Sequence, residues 1–150
     1  MAEQIKRAHF SFGSTKIIKT FLADSTGGSF EIDNLNTPID GTIITVPPGA
    51  LKNKTSIAIG YNDGILKLLS GKSSGVIIIL KSEHKISFDK PLMITVRFDP
   101  SINRGHIIGY EIDEKGFLHS VDTGAINKTL GTVSFYTFKP IILTWVYIAE

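Results

Sequence analysis

The chain has 150 residues, of which 42% are hydrophobic and 20% are charged, and its formal net charge is +2. A chain of this length buries about two thirds of its unfolded surface in one core, so it needs no disulfide to fold. It contains no cysteine, which excludes thiol catalysis, zinc sites with cysteine ligands and redox switching by thiols. Length and composition therefore predict one globular domain without thiol chemistry.

The charged residues are spread along the chain, and no run of Lys and Arg is long enough to follow a phosphate backbone. Nucleic acid is therefore not expected as a partner. The start, MAEQIKRAHFSFG, has no apolar segment of signal-peptide length, and the most apolar run, GVIIIL, is too short to span a bilayer. We expect a soluble chain without a membrane span, cytoplasmic as given or surface-exposed if it is a fragment.

Apolar residues recur at every second position in short runs separated by Gly, Pro, Asn and Asp. This period is typical of strands with one buried face, and the separators are turn formers. The predicted strands in chain order are Ile17 to Leu22, Phe30 to Ile32, Thr42 to Val46, Ser56 to Tyr61, Val76 to Leu80, the stretch KISFDKPLMITVRFD, His106 to Ile112, Phe117 to Val121, Thr132 to Phe138 and Ile141 to Ile148. About ten short strands at this spacing predict an all-β protein, an antiparallel β-sandwich with minimal helix.

The clearest alternation lies in KISFDKPLMITVRFD. Its large apolar residues share one face, which contains Ile86, Phe88, Leu92, Ile94, Val96 and Phe98. Thr95 and Arg97 are predicted to lie on the other face. Pro91 is expected at a bulge or between two short strands, because it cannot donate a hydrogen bond within a sheet.

Glycine-ended polar segments predict turns at YNDG, residues 61–64, and at DEKG, residues 113–116. Single helical turns are expected in PGALKN, in GILKLLS and in the N-terminal AEQIKR. The chain has no internal repeat and no linker. It is therefore divided into an N-terminal extension over residues 1–12 and a single β-sandwich domain over residues 13–150.

Two longer segments carry a resemblance to a known family. DGTIITVPPGALKNKTSIAI, from Asp40, combines a glycine, a strand, a Pro-Pro-Gly-Ala-Leu turn and a second strand. SGVIIILKSEHKISFDKPLMITVRFDP, from Ser74, has a long alternating strand after a proline. In this order they resemble the ZU-five domain, and the resemblance extends from Phe30 to Leu143. It implies a β-sandwich that holds other proteins, as in ankyrins, netrin receptors, death-domain adaptors and bacterial surface proteins.

Some members of this family cut their own backbone at a His-Phe-Ser triplet near the end of the domain. The resemblance implies that the matching triplet here is Ser134, Phe135 and Tyr136. A serine stands in place of the base, and the tyrosine in place of the nucleophile has a phenol that is a poor attacker of a peptide bond. We expect a degenerate self-cleavage position without cleavage. A literal His-Phe-Ser begins at His9, at the wrong end of the chain, and is interpreted as an N-terminal strand or arm.

No metal site is predicted, because the four histidines are not spaced as metal ligands. His106 and His119 could bring two imidazoles together across the predicted hairpin, but a cross-strand polar pair or two exposed rings is favoured. Five carboxylates surround loops, where they could hold calcium or fix turns: Asp99, Glu111, Asp113, Glu114 and Asp122. The absence of a D-x-D-x-D-G pattern favours turn residues.

The C-terminal stretch PIILTWVYIAE is apolar on both faces. Such a strand is either buried centrally or docks on a second copy or a following domain, by its edge or by a face. In the second case Trp145 and Tyr147 would be the anchors, since large aromatic residues dominate such contacts. We refer to this stretch as the candidate interaction strand.

No nucleophile with its base, acid-base pair or cofactor loop is found in the sequence. We therefore expect no enzyme and no cofactor, but a non-catalytic interaction or assembly module of ZU-five type. Its partner would be a protein or a neighbouring domain, or a second copy bound through the C-terminal strand. The alternative is a cell-surface carbohydrate-binding or adhesion module. Exposed aromatic residues grouped on one face would favour that alternative, whereas Phe30, Phe88, Phe98 and Phe135 are predicted to face inward.

Overall fold

A computed structural model of the chain describes residues 8–68, 71–84, 86–98 and 106–148. These residues form fourteen strands and no helix. The strands are β1 (His9–Ser11), β2 (Thr15–Ala23), β3 (Gly28–Glu31), β4 (Ile43–Val46), β5 (Thr55–Asn62), β6 (Ile65–Lys67), β7 (Lys72–Ser73), β8 (Ile78–Ser82), β9 (Leu92–Arg97), β10 (His106–Ile112), β11 (Leu118–Ser120), β12 (Thr123–Asn127), β13 (Thr132–Thr137) and β14 (Ile141–Ile148). The strand pairs are antiparallel. The prediction of an all-β antiparallel sandwich is confirmed.

Two sheets form the sandwich. The larger has the strand order β11, β10, β14, β8, β5, β2, with β7 also paired to β14, and the smaller has the order β12, β13, β9, β4, β3. The main core contains the inward side chains of both sheets. Ile44 and Val133 of the smaller sheet and Ile57 and Leu143 of the larger are completely buried in it. The first and last strands of each sheet therefore form two opposite edges of the sandwich, one at β2 and β3 and the other at β11 and β12.

A second, smaller core lies on the outer face of the larger sheet. There β1 pairs with β6 to form a two-stranded ribbon that places Phe10 opposite Leu66. Phe10 is only 1% exposed and belongs to a cluster with Ile79, Val146 and Ile148. The described part of the predicted N-terminal extension is thus packed against the sandwich. The predicted boundary at residue 13 stays a prediction.

The two cores explain the apolar runs in the centre of the larger sheet. Ile78 and Leu80 belong to the main core, whereas Ile77 and Ile79 belong to the second core. Because successive side chains of a strand point to opposite faces, a strand between two cores is apolar at every position. GVIIIL therefore leads into the central strand β8, which begins at Ile78, and its Ile and Leu side chains fill both cores.

Two expectations of a helical turn are wrong. PGALKN forms a hydrogen-bonded turn in which the Ala50 N–H donates to the Pro47 carbonyl at 3.1 Å. GILKLLS contains β6, because pairing with β1 puts Leu66 over the second core. The third, AEQIKR, lies outside the described residues. No helix that could span a membrane occurs in the described part of the chain.

The strand predicted in KISFDKPLMITVRFD begins only at Leu92. Pro91 directly precedes it, at a position where a missing N–H interrupts no ladder. The predicted facing is nonetheless confirmed, since Ile94 and Val96 are each 1% exposed. Phe88 is also buried, and its N–H donates to the Phe138 carbonyl at 2.6 Å.

Candidate functional site

A cleft of about 310 Å³ opens at the β11–β12 edge of the sandwich. It forms where the link from β11 to β12 meets the turn from β13 to β14. We call it the aromatic cleft. Its lining residues are Ser87, Glu111, Ser120, Val121, Asp122, Tyr136, Thr137, Phe138, Lys139 and Ile141.

Two aromatic side chains of the aromatic cleft are open to solvent. Tyr136 is 36% exposed and Phe138 is 54% exposed. Along β13, Val133 and Phe135 point into the main core, so the side chain of Tyr136 is directed to the other face. The sequence contained a signal for this pair, because aromatic residues two positions apart at the end of a strand share a face. The prediction of inward aromatic residues concerned other phenylalanines and missed it.

The Tyr136 ring lies against the backbone of β12 at Gly124. A Cβ atom added to Gly124 would lie 2.6 Å from Cε2 of this ring, which is far inside van der Waals contact. In addition, the Tyr136 N–H donates to the Asp122 carbonyl at 3.0 Å. Glycine at position 124 thus allows the ring to pack closely against the neighbouring strand, and the backbone hydrogen bond joins β13 to the segment before that strand.

The polar side of the aromatic cleft is organised by an ion pair and by the turn. The Lys139 Nζ lies 3.0 Å from the Glu111 Oε2. The Thr137 Oγ1 donates to the Lys139 carbonyl at 2.7 Å, which closes the turn after β13. The charged lining residues are Glu111, Asp122 and Lys139, two negative and one positive, so the cleft has a formal charge of −1.

The predicted self-cleavage position lies inside β13, where the pairing with β9 is regular and the pairing with β12 shifts register beside the triplet. This strand is paired on both edges, by β9 and by β12. Ser134 is buried, with its Oγ 2.8 Å from the Thr95 Oγ1, and Phe135 is 1% exposed in the main core. No non-glycine residue in the described ranges has a positive φ, so backbone strain of that kind is not found at this triplet. Absence of cleavage stays a prediction.

The C-terminal strand β14 lies in the middle of the larger sheet, between β10 and β8. Trp145 is 2% exposed and Tyr147 is 6% exposed. The Trp145 Nε1 donates to the Tyr147 Oη at 3.1 Å, and the Trp145 ring stacks on Phe135 with centroids 6.2 Å apart. Of the two predicted positions of this strand, the structure shows central burial: one face of β14 packs in the main core and the other face in the second core. A role of Trp145 and Tyr147 as anchors for a partner stays a prediction.

We expect the single tryptophan to report this burial directly. Its fluorescence should be blue-shifted relative to free tryptophan and weakly quenched by acrylamide in the native protein, since Trp145 lies in the apolar main core. Both properties should change to those of an exposed indole on addition of denaturant. Strong quenching before unfolding would contradict the central position of β14.

Two of the remaining titratable residues singled out in the sequence, His119 and Asp113, contact each other. The His119 Nε2 lies 2.8 Å from the Asp113 Oδ2, and the hydrogen bond from His119, followed by that from the Phe117 N–H, holds the pKa of Asp113 below its ordinary value. His119 is opposite Glu111, whereas His106 is opposite Ile148, so the two imidazoles do not face each other. No group of three metal-binding side chains occurs among the described residues. Asp99 lies outside them.

A second candidate surface is the free edge of β2, which we call the β2 edge. With nine residues β2 is the longest described strand, and the sheet order pairs it with β5 alone. Ile17 is 45% exposed and Leu22 is 56% exposed. Lys16 and Lys19 are exposed as well, and the register shifts between Ile17 and Lys19. This edge therefore combines backbone groups that no other described strand pairs with, apolar side chains and positive charge.

The fold defines the class of this protein as an antiparallel β-sandwich with an additional two-stranded ribbon. Comparison with known proteins adds nothing further, since no family model matches the chain and no curated protein matches it. The ZU-five resemblance therefore stays a prediction from the sequence.

Proposed function

We propose that the protein is a non-catalytic interaction module that binds an extended segment of a protein partner at the β2 edge. The observation that carries this is the length of β2 and its position as the last strand of the larger sheet. About half of the backbone N–H and C=O groups of such a strand point away from its neighbour and can pair with an added strand. The resemblance to ZU-five domains, which hold other proteins, supports the same class of function.

The charges of the β2 edge indicate the chemistry of the partner. Lys16 and Lys19 flank the exposed Ile17, and the Lys19 Nζ also donates to the Glu31 carbonyl at 3.1 Å. A second copy paired through the same edge would bring lysines of both chains together, which is unfavourable. An acidic segment with alternating apolar residues would instead place carboxylates near the lysines and cover Ile17 and Leu22.

Two contacts support a module without catalysis. The Ser134 hydroxyl bonds to the Thr95 hydroxyl and not to a base. His9, part of the literal His-Phe-Ser, lies 2.8 Å from the Lys115 carbonyl through its Nε2. Both groups therefore have structural partners.

A short peptide of alternating Glu and Val tests the β2 edge. We expect its titration into isotope-labelled protein to shift the backbone amide resonances of β2, because an added strand forms hydrogen bonds with them. The Lys16→Glu variant should bind about threefold more weakly, as expected for one exposed charge pair. The measurement is the two-dimensional amide spectrum, with the dissociation constant taken from the shifts.

Lys128→Glu is the matched control, because it makes the same change of charge at an exposed residue beside the opposite edge. It should leave peptide binding unchanged. A peptide with Lys in place of Glu should bind more weakly. Shifts confined to other strands, or equal binding of both peptides, would refute the β2 edge as the site.

A further inference from the structure

We propose that the aromatic cleft binds a neutral oligosaccharide. This site is independent of the β2 edge, since it lies at the other end of the sheet order, next to β11 and β12. Its support comes from three features of the cleft, namely exposed rings, a rigid mounting of one ring and a mixed polar lining.

The exposed rings offer a surface that suits one face of a sugar. The C–H groups of a pyranose form an apolar face, while its hydroxyl groups point outward from the ring edge. Tyr136 and Phe138 line the cleft and leave 36% and 54% of their surfaces in water. Stacking of a sugar ring on an aromatic ring would remove this apolar area from water without requiring a fully apolar ligand.

The close packing of the Tyr136 ring would reduce the entropy cost of binding a ligand. The ring of Tyr136 lies against Gly124, where a Cβ would approach to 2.6 Å, and its backbone is held by the Asp122 carbonyl. A ring that is already fixed loses little conformational entropy when a ligand stacks on it. The arrangement therefore provides a preorganised platform.

The polar lining suits hydroxyl groups and disfavours acidic sugars. Ser120 is exposed, and the lining also contains the carboxylates of Glu111 and Asp122. Such groups accept or donate hydrogen bonds to hydroxyls. The formal charge of the lining is −1, which repels carboxylate or sulfate groups on a ligand. The volume of about 310 Å³ is at the lower end of ligand sites, roughly 300 to 1,000 Å³, and is suited to a terminal segment of a chain.

Amide and aromatic resonances provide the test. Labelled full-length protein is titrated with cellotetraose, maltotetraose and chitotetraose as neutral probes, and with a tetragalacturonate as the acidic probe. We expect at least one neutral probe to shift the Gly124 amide and the Tyr136 and Phe138 ring resonances, with a dissociation constant on the order of 1 mM or lower. The acidic probe should bind at least about tenfold more weakly.

Three variants make the result specific. Tyr136→Ala and Phe138→Ala should each weaken binding at least about tenfold. Gly124→Ala should also weaken binding, because the added methyl group would displace the Tyr136 ring although the tyrosine itself is retained. Phe117→Ala is the matched control, since Phe117 is 43% exposed outside the cleft, and it should bind as the parent does. Amide spectra of the free variants establish that each is folded.

The site would be overturned if none of the neutral probes caused a shift at about 10 mM. Equal binding of the acidic probe, or binding that survives both aromatic substitutions, would also overturn it. Shifts at Gly124 and Tyr136 caused by the Glu-Val peptide would assign the cleft to a protein segment instead. Because the peptide and sugar titrations report on different resonances, failure of either one is distinguishable from failure of the other.

Discussion

Replacement of Val96 by Asp is expected to prevent the chain from folding. Val96 is 1% exposed in β9, the central strand of the smaller sheet, and is paired with Val133 of β13. A carboxylate there would be buried among the apolar side chains of the main core, away from water. Burial of an unpaired charge belongs to the class of substitutions that cost more than about 4 to 5 kcal/mol, which is comparable to the whole stability of many domains.

Far-ultraviolet circular dichroism and thermal unfolding measure this effect. The Val96→Asp variant should lack a cooperative transition, or melt far below the parent. Ile126→Asp is the control, since Ile126 is 45% exposed in the edge strand β12. This change should alter the free energy of unfolding by no more than about 0.5 kcal/mol. Equal melting temperatures for Val96→Asp and the parent would show that the facing of β9 is incorrect.

Phe10→Ala is expected to lower the free energy of unfolding by about 3 to 5 kcal/mol, because it leaves a cavity in the second core. Phe10 is 1% exposed, and its N–H donates to the Gly116 carbonyl at 2.8 Å, so the ribbon is connected to the β10–β11 hairpin. Loss of this ring would uncover Val146 and Ile148 on the outer face of the larger sheet. The melting temperature should fall by about 10 °C or more.

Phe12→Ala is the matched control for this prediction. Phe12 is 45% exposed and contacts Phe10 edge to face, with centroids 4.9 Å apart, so its loss should cost much less. A chain that begins at residue 13 should be destabilised at least as strongly as Phe10→Ala. If the shortened chain instead melted like the parent, residues 1–12 would be a dispensable extension and the second core would contribute little.

The two proposed sites can be occupied at the same time, since they lie at opposite edges of the sandwich. Neither of them uses Trp145 or Tyr147, although Ile141 at the start of β14 lines the aromatic cleft. Trp145 and Tyr147 stabilise the main core, and variants at these positions would be expected to alter folding before they alter binding. Tests of binding therefore require substitutions at exposed residues, such as Lys16 and Phe138.

Local sequence patterns were sufficient to predict the fold class and the facing of the regular strands. Apolar and polar residues alternate around Val96. This period of two indicates a strand with one buried face, whichever strand it pairs with. Glycine-ended turns such as DEKG are local as well: the Gly116 N–H donates to the Asp113 carbonyl at 3.0 Å, and Gly116 has a φ of 88°. These features depend on residues near one another in the chain, so their prediction needed no tertiary structure.

Which strands are central and which lie at the edges of the sheets depends on long-range pairing. The apolar pattern of β14 is compatible with docking or with burial, and only pairing with β10 and β8 selects burial. Ile65 to Lys67 became a strand because the distant β1 pairs with it over a second core. The aromatic cleft likewise requires β10, β13 and the β11–β12 link to meet. Such contacts join residues far apart in sequence, and local periodicity carries no information about them.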